Sequence, residues 1–187
     1  MTPRLSFHPT LLAGLIVIEL KPIADERGSL ERLYCANELA AQQIRFPIVQ
    51  VNRTVTTRKG TVRGMHFQYP PHTETKLVSC LTGKVFDVAV DLRRGSPTFL
   101  QWHAEELSSE NHRSLLIPAG FAHGLQTLED DCDLLYFHTA AYVADAEGGI
   151  QPSDPRVGIK WPLPIGEMSV RDRGHSLLTD EFRGLVL

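Results

Sequence analysis

The sequence has few cysteines and no long apolar run, and each absence removes a class of protein. Its 187 residues include three cysteines, an odd number without Cys-x-x-Cys spacing. They predict neither a disulfide framework nor a structural zinc site. No apolar run approaches the roughly 20 residues that cross a bilayer, and the first ten residues lack the charged-then-apolar order of a signal peptide. We therefore expect a cytoplasmic protein that does not enter a membrane.

An excess of basic charge is also missing. Lysine and arginine number 19 against 22 aspartates and glutamates, so the formal net charge is −3. This balance gives no electrostatic reason to expect nucleic acid or an anionic membrane as a partner. The chain has no internal repeat, low-complexity segment or linker. Its length therefore predicts a single domain over residues 1–187.

What is present is a series of short β segments separated by turn residues, which predicts an antiparallel sandwich or barrel. The predicted strands are residues 14–20, 29–34, 48–56, 76–81, 84–92, 99–107, 114–117, 121–128 and 133–142, with a strand-like stretch at 59–68. One short helix is predicted over residues 37–44, with Asn37 as its N-cap. Beyond residue 144, glycines and prolines predict an irregular tail that wraps the barrel.

Two of these strands carry side-chain patterns that predict which way they face. In residues 48–56, the polar Gln50, Asn52 and Thr54 share one side, which faces either solvent or a wet cavity. The valines at 49, 51 and 55 share the other side. In residues 84–92, the face that carries Phe86, Val88, Val90 and Leu92 is the better candidate for the core.

Residues 59–68, Lys-Gly-Thr-Val-Arg-Gly-Met-His-Phe-Gln, bring an arginine and a histidine close together. Strict alternation would point Arg63 and His66 to opposite faces, so Gly64 predicts a bulge that re-aims one of them towards a shared pocket. A histidine beside a fixed cation suits proton transfer on an anionic substrate. The simpler alternative is a polar histidine that lines a barrel and an arginine on the surface.

Four further residues have chemistry that sequence spacing does not bring together. Lys76, His123, Tyr136 and Asp172 each have a structural explanation or a functional one. In structural terms, Lys76 could be a charge on an edge strand and Tyr136 a half-buried aromatic of the core. Asp172 could cap a helix or a turn.

Four separated motifs add a resemblance. Residues 59–68, Lys-Leu-Val at 76–78, Val-Phe-Asp-Val-Ala-Val-Asp-Leu-Arg at 85–93 and Ile-Pro-Ala-Gly-Phe-Ala-His-Gly at 117–124 closely resemble the dTDP-4-dehydrorhamnose 3,5-epimerase family. Residues 154–163 and 169–172 look like the closing motifs of that family, and the match runs from about residue 27 to 178. The resemblance implies a cupin-type jelly roll, or double-stranded β-helix. It implies a homodimer whose first strands cross to the partner's sheet, and a nucleotide-linked 4-keto-6-deoxy sugar as substrate.

The resemblance also implies a role for each matching residue. His66 would be the base that removes a proton from carbon, oriented by Asp172, and Tyr136 would return a proton on the opposite face. Lys76 would stabilise the enolate formed at the 4-ketone. This chemistry requires neither a nicotinamide nor a metal, so no cofactor is expected.

The expected substrate-binding residues surround that catalytic set. Arg63 with Arg27 would hold the diphosphate or position the sugar, and His123 would line the sugar pocket. The full expected set is Arg27, Gln50, Asn52, Arg63, His123 and Tyr142.

The sequence departs from the family pattern where the nucleotide and sugar would be recognised. Ser29-Leu30 stands where the family commonly has two aromatics, and Arg32 stands where it commonly has a glutamate. Further along, Phe137 replaces a common lysine, Ala141 replaces a common aromatic, and Gln151-Pro152 replaces a frequent Arg-Trp pair. The resemblance therefore leaves open which nucleotide is bound and whether C3, C5 or both are inverted.

Two alternative functions remain open on the sequence. A metal-dependent cupin would use His66, Glu74 and His123 as ligands for iron or manganese, although Gln68 stands where a second histidine normally lies. A catalytically silent sugar-binding module is the other alternative. The retention of a base with its orienting carboxylate and of an acid favours an enzyme, because binding alone needs neither.

Overall fold

Two antiparallel sheets form the body of the protein in the computed structural model, which describes residues 2–187. One sheet has the order β1-β2-β10-β7-β12-β5, with β1 Leu5–Pro9, β2 Ile16–Leu20, β10 Arg113–Ile117, β7 Lys76–Thr82, β12 Cys132–His138 and β5 Gln50–Thr56. The other has the order β13-β6-β11-β8-β9, with β13 Glu147–Gly149, β6 Val62–Gln68, β11 Phe121–Thr127, β8 Lys84–Asp91 and β9 Trp102–Ser108. A separate hairpin pairs β3 Ile23–Asp25 with β4 Gly28–Leu30. The mainly β jelly roll predicted above is confirmed.

The central core lies between the two sheets. Val78 and Leu134 from the six-stranded sheet pack with Val85, Leu107 and Phe121 from the five-stranded one. All five are less than 5% exposed, as expected when alternating side chains of two sheets interdigitate. This packing holds the two sheets at the spacing that leaves a cavity at one end.

Segments outside the sheets cover both of their outer faces. The C-terminal tail packs Val157, Trp161 and Leu185 against the five-stranded sheet, which confirms the predicted wrapping. A short helix, α1 Ala36–Ala41, buries Leu39 against the outer face of the six-stranded sheet. The molecule therefore has three layers of buried apolar residues.

The tail explains why both faces of β8 are buried. The predicted core face, represented by Val88 and Val90, packs under the tail. The opposite face places Val85 and Ala89 in the core between the sheets. Strand periodicity identified two faces, but only the covering tail makes the outer one apolar and dry.

Strand β5 lies at the edge of its sheet, and its two faces differ as predicted. Gln50, Asn52 and Thr54 line a cavity, which confirms the wet-cavity interpretation. Val51 and Val55 point outwards and are 48% and 51% exposed, because neither terminal segment covers this edge.

Several predicted boundaries near the N-terminus were wrong. The strand expected at residues 29–34 is only the three-residue β4, since its sole partner is the short β3. The helix begins one residue earlier than predicted and ends at Ala41, and Cys35 rather than Asn37 occupies its N-cap, without a side-chain cap. Strand β1 was not predicted.

The tail also contains a second helix that was not predicted, α2 Val170–Gly174. Ser169 caps it by accepting a hydrogen bond from the Asp172 backbone N–H at 3.0 Å. Ser-x-x-Asp is a recognisable N-cap signature, so the signal was present in the sequence. This short helix carries Asp172 towards β6.

Gly64 forms the predicted bulge in β6. Opposite β11, the register passes from His66–His123 to Arg63–Leu125, so two residues of β6 face one residue of β11. The extra residue returns Arg63 and His66 to one side, and both line the same cavity. Gly64 has φ of +120°, and a Cβ there would lie 2.5 Å from Gly124 Cα and 2.8 Å from the His123 carbonyl oxygen.

We expect Gly64→Ala to lower the free energy of unfolding by about 3 kcal/mol, because the new Cβ meets backbone and the positive φ strains an L-residue. Urea unfolding measures the loss. Gly28→Ala is the matched control: Gly28 has φ of +128° but nothing within 4 Å of a Cβ. It should lose only about 1 kcal/mol, the cost of the backbone conformation. Equal losses in the two variants would contradict a role for close strand packing at Gly64.

Candidate active site

A cavity of about 770 Å³ opens between the two sheets, a size suited to a small-molecule ligand. Strands β5, β7 and β12 supply one wall, strands β6 and β11 the other, and helix α2 closes one side. Most lining side chains are polar. Nine of the ten predicted site residues line this cavity, and Arg27 lies outside it.

The partly exposed His66 and the buried Asp172 form a hydrogen-bonded pair, with 2.8 Å between His66 Nε2 and Asp172 Oδ1. The Gly64 backbone N–H donates to the other carboxylate oxygen at 3.1 Å. Burial by itself would raise the pKa of the Asp172 carboxyl, but the hydrogen bonds and charge of His66, with the Gly64 N–H, hold it well below its usual range. The ionised carboxylate keeps the proton of a neutral imidazole on Nε2 and leaves Nδ1 able to accept another.

Tyr136 lines the same cavity from β12, in the sheet opposite His66. Its ring lies edge-on to His123, with 6.0 Å between ring centres, and is stacked with His138 at 6.2 Å. Burial, followed by the nearby negative charge of Asp87, raises the pKa of its phenol. The hydroxyl therefore stays protonated at neutral pH and can act as a proton donor.

Lys76 supplies a buried positive charge on β7, opposite His138 of β12. Its side chain is 11% exposed, and Nζ lies 3.2 Å from Glu74 Oε1. Burial opposes ionisation of Glu74, but the hydrogen bond from His138 and the charge of Lys76 lower its pKa. The lysine thus lies in the cavity beside an ionised carboxylate.

His123 and Arg63 lie on the wall that β11 and β6 share. His123 Nε2 is 2.8 Å from the fully buried Asp87 Oδ1. Arg63 also lines the cavity, and its Nε donates to Thr56 Oγ1 at 2.8 Å. These contacts hold both residues in place before any ligand binds.

Gln50, Asn52 and Tyr142 form a polar rim on the β5 side. The Gln50 Nε2 donates to Asn52 Oδ1 at 3.1 Å, and the Tyr142 backbone N–H donates to Gln50 Oε1 at 3.0 Å. The three predicted binding residues are therefore linked to one another.

Arg27 is the predicted binding residue that does not line the cavity. It lies between β3 and β4 with its side chain 89% exposed, and it pairs with Asp25. Its contact with substrate stays a prediction.

Four polar residues that lie near the site were not predicted from the sequence. Arg171 Nη2 lies 3.1 Å from His66 Nε2, and Arg171 also pairs with Glu147 at 2.7 Å. His175 packs edge-on to His66, with 6.0 Å between ring centres. His138 donates to Glu74 at 2.7 Å. Only the position of Arg171 next to Asp172 was a usable signal, because the other three reach the site through long-range contacts.

The alternative metal-ligand set, His66, Glu74 and His123, is not assembled. Glu74 is held by Lys76 and His138, and His123 by Asp87. Within residues 2–187, one group of His, Cys, Asp or Glu has ligand atoms within 4.8 Å of one another, namely His66, Asp172 and His175.

That group is also a poor metal site, because a positively charged side chain lies against its ligand atoms. The Arg171 guanidinium contacts His66 Nε2 at 3.1 Å and Asp172 Oδ1 at 3.4 Å. A metal bound to these two atoms would face a positive charge at close range. Arg171 thus places a positive charge beside two of the atoms that would bind a metal.

Fold and cavity define a class: a cupin-type jelly roll with polar, ionisable side chains at one end of the barrel. A family model described as dTDP-4-dehydrorhamnose 3,5-epimerase matches residues 9–180. The chain belongs to the dTDP-4-dehydrorhamnose 3,5-epimerase family.

Individual relatives agree with this assignment. The dTDP-4-dehydrorhamnose 3,5-epimerase of Streptomyces griseus is 40% identical over 182 residues, which cover 96% of this chain and 90% of the relative. The dTDP-4-dehydrorhamnose 3-epimerase of Streptomyces niveus is 35% identical over 175 residues, which cover 92% of this chain and 84% of the relative. A crystal structure of dTDP-6-deoxy-D-glucose-3,5-epimerase from Legionella pneumophila, in complex with dTDP-4-keto-L-rhamnose, has a TM-score of 0.91 and 38% identity over 98% of each chain.

Within residues 2–187, no helix is long and apolar enough to cross a membrane.

Proposed function

We propose that this protein is an isomerase that epimerises a nucleotide-linked 4-keto-6-deoxyhexose, of the dTDP-4-dehydro-6-deoxyglucose type, at C3, C5 or both. The observation that carries the proposal is one cavity lined by the His66–Asp172 pair from one side and by Tyr136 and Lys76 from the other. Inversion of a carbon needs a base on one face and an acid on the other. The two sheets supply one of each.

The chemistry starts from the acidity that a ketone confers on its neighbours. A hydrogen on C3 or C5 can leave as a proton because the electron pair of its C–H bond moves towards C4 and places negative charge on the ketone oxygen. His66 Nδ1 takes that proton, and the imidazolium formed is stabilised by the Asp172 carboxylate. Return of a proton to the same carbon, from the opposite face, completes the inversion and restores the ketone.

Lys76 and Tyr136 act on the enolate in complementary ways. The Lys76 ammonium lowers the energy of the oxygen anion, and preorganised charge of this kind typically contributes about 10²- to 10³-fold in rate. Tyr136, whose phenol remains protonated, delivers the proton to carbon. At each inverted carbon the substrate loses one proton and gains one, so the reaction consumes no oxidant or reductant and needs no cofactor.

The rim residues would bind the rest of the substrate. We assign the diphosphate to the Arg63 guanidinium, which suits phosphate oxygens, and sugar hydroxyls to Gln50, Asn52 and His123. Tyr142 would contact the substrate at the outer end of the rim. Arg27 is assigned to the diphosphate as well, in a homodimer whose N-terminal strands bring it to the partner's cavity.

The remaining assignments follow from the same proposal. We infer one domain over residues 1–187, a homodimer and a cytoplasmic location, which suits a nucleotide-sugar substrate. Size-exclusion chromatography with light scattering tests the dimer: a monomer at all concentrations would contradict the role given to Arg27.

Deuterium uptake from D₂O tests the activity directly. The protein is incubated with TDP-, CDP- and GDP-linked 4-keto-6-deoxyhexoses, and NMR follows the label and the configuration at C3 and C5. We expect label with inversion at one or both carbons of at least one sugar. Tight binding without any label would contradict catalysis and favour a binding module.

A further inference from the structure

A second hydrogen-bonded chain runs along the cavity wall, on the side opposite the His66–Asp172 pair. The Tyr142 backbone N–H donates to Gln50 Oε1 at 3.0 Å, and Gln50 Nε2 donates to Asn52 Oδ1 at 3.1 Å. Asn52 Nδ2 lies 3.4 Å from His138 Nε2, and His138 Nδ1 lies 2.7 Å from Glu74 Oε2. The chain links the rim of the cavity to the partner of Lys76.

Both ends of this chain have a fixed polarity. A backbone N–H only donates, so Gln50 must present its oxygen to Tyr142. At the other end, burial would raise the pKa of Glu74, but the hydrogen bond from His138 and the charge of Lys76 lower it. Glu74 is therefore ionised, and a carboxylate only accepts hydrogen bonds. Because both ends are fixed, the donor and the acceptor of every hydrogen bond between them are fixed as well. His138 therefore carries its proton on Nδ1, which donates to Glu74, and accepts from Asn52 at Nε2.

His138 is the member of this hydrogen-bonded chain whose polarity depends on its own protonation: a neutral imidazole donates from one ring nitrogen and accepts at the other, whereas an imidazolium donates from both. It lies on β12 with its side chain 10% exposed. The charged and titratable groups that face it are Glu74, Lys76 on β7 and Tyr136 on its own strand. Strand β5 faces it only with the amides of Gln50 and Asn52.

We propose that His138 is a positioning residue for substrate recognition: as a neutral imidazole, it fixes which amide groups Asn52 and Gln50 present to the bound sugar nucleotide. The inference rests on the proposed function of the cavity. A proton on His138 Nε2 would face the Asn52 NH₂ group, so that two donors would meet. The Asn52 amide would then turn to present its oxygen to His138. Its NH₂ group would then face that of Gln50, and Gln50 is prevented from turning by the Tyr142 N–H. Protonation of His138 therefore breaks the chain and weakens substrate binding.

Substrate affinity as a function of pH tests this role. The His66→Asn background removes the base and its titration, so that TDP-4-keto-6-deoxyglucose, or the CDP- or GDP-linked sugar that shows exchange, binds without reaction. Calorimetry should show Kd rising about tenfold between about pH 8 and pH 5.5, the effect of one or two lost neutral hydrogen bonds. With His138→Gln added, most of this tenfold change should be lost, because glutamine supplies a donor and an acceptor but does not titrate. His123, the other histidine assigned to the sugar, is the same in both variants.

Two further variants separate positioning from a general effect on the fold. In the same background, His138→Leu removes both hydrogen bonds. Its Kd should be about tenfold above that of the parent at pH 8 and close to that of the parent at pH 5.5. His8→Gln changes an exposed histidine outside the cavity and should preserve the pH dependence of the parent.

The outcomes distinguish this proposal from the proposed function. A pH dependence that is undiminished by His138→Gln, or that is missing from the His66→Asn parent, overturns the role of His138, while deuterium exchange by the unmodified protein still supports the epimerase. If no 4-keto sugar nucleotide binds or exchanges, both proposals are overturned.

Discussion

His66→Ala is expected to slow deuterium uptake at C3 and C5 by about 10²- to 10⁴-fold, the usual contribution of a positioned general base. The variant keeps Arg63, Lys76 and the rim, so its affinity for the sugar nucleotide should change much less than its rate. Exchange monitored by NMR, with Kd from calorimetry, separates the two quantities.

Two variants sharpen this test. Asp172→Asn retains an oxygen for the Gly64 N–H but removes the negative charge beside His66, so it should lose rate because the imidazole is no longer held in one tautomer. His8→Ala, a histidine on the exposed face of β1, should leave exchange unchanged. Exchange in His66→Ala at a rate near that of the unmodified protein would show that another group removes the proton.

Tyr136→Phe is expected to separate exchange from inversion. Formation of the inverted product should fall by about 10²- to 10⁴-fold because the acid on the second face is lost. His66 still removes a proton and, once its own proton has exchanged with D₂O, can return deuterium to the same face. NMR should therefore show label in unreacted substrate with little inverted sugar.

Tyr69→Phe is the matched control, because Tyr69 is about half exposed and lies outside the cavity. It should behave as the unmodified protein does. Parallel loss of exchange and inversion in Tyr136→Phe would contradict a role confined to the second face, and normal inversion would exclude Tyr136 as the acid.

The site combines several buried charges, and each of them is paired before substrate arrives. Asp172 accepts from His66 and from the Gly64 N–H, and Lys76 pairs with Glu74. An unpaired charge at such depth would cost several kcal/mol, whereas a paired and hydrogen-bonded one stays ionised in place. This arrangement gives the cavity fixed charges and dipoles that need little reorganisation during proton transfer.

Much of the fold and of the site could be predicted from local sequence. Alternation along residues 48–56 and 84–92 identified strands, and Gly64 identified the bulge, because side-chain direction and positive φ are local properties of the backbone. The resemblance of four motifs named His66, Tyr136, Lys76 and Asp172 as one set. Spacing alone did not, since these residues lie on three strands and a helix that are far apart in the sequence.

The sequence by itself therefore determined the β-rich class, the family and the identity of the residues that would act on a sugar. Only the tertiary structure decided which residues meet: the pairing of His66 with Asp172, the contact of Arg171 with that pair, and the hydrogen-bonded chain through His138. It also decided that Arg27 lies outside the cavity of its own chain and that both faces of β8 are buried. The physical reason is that burial and polarity at each position depend on what packs against it, and here those neighbours come from the facing sheet and the wrapping tail.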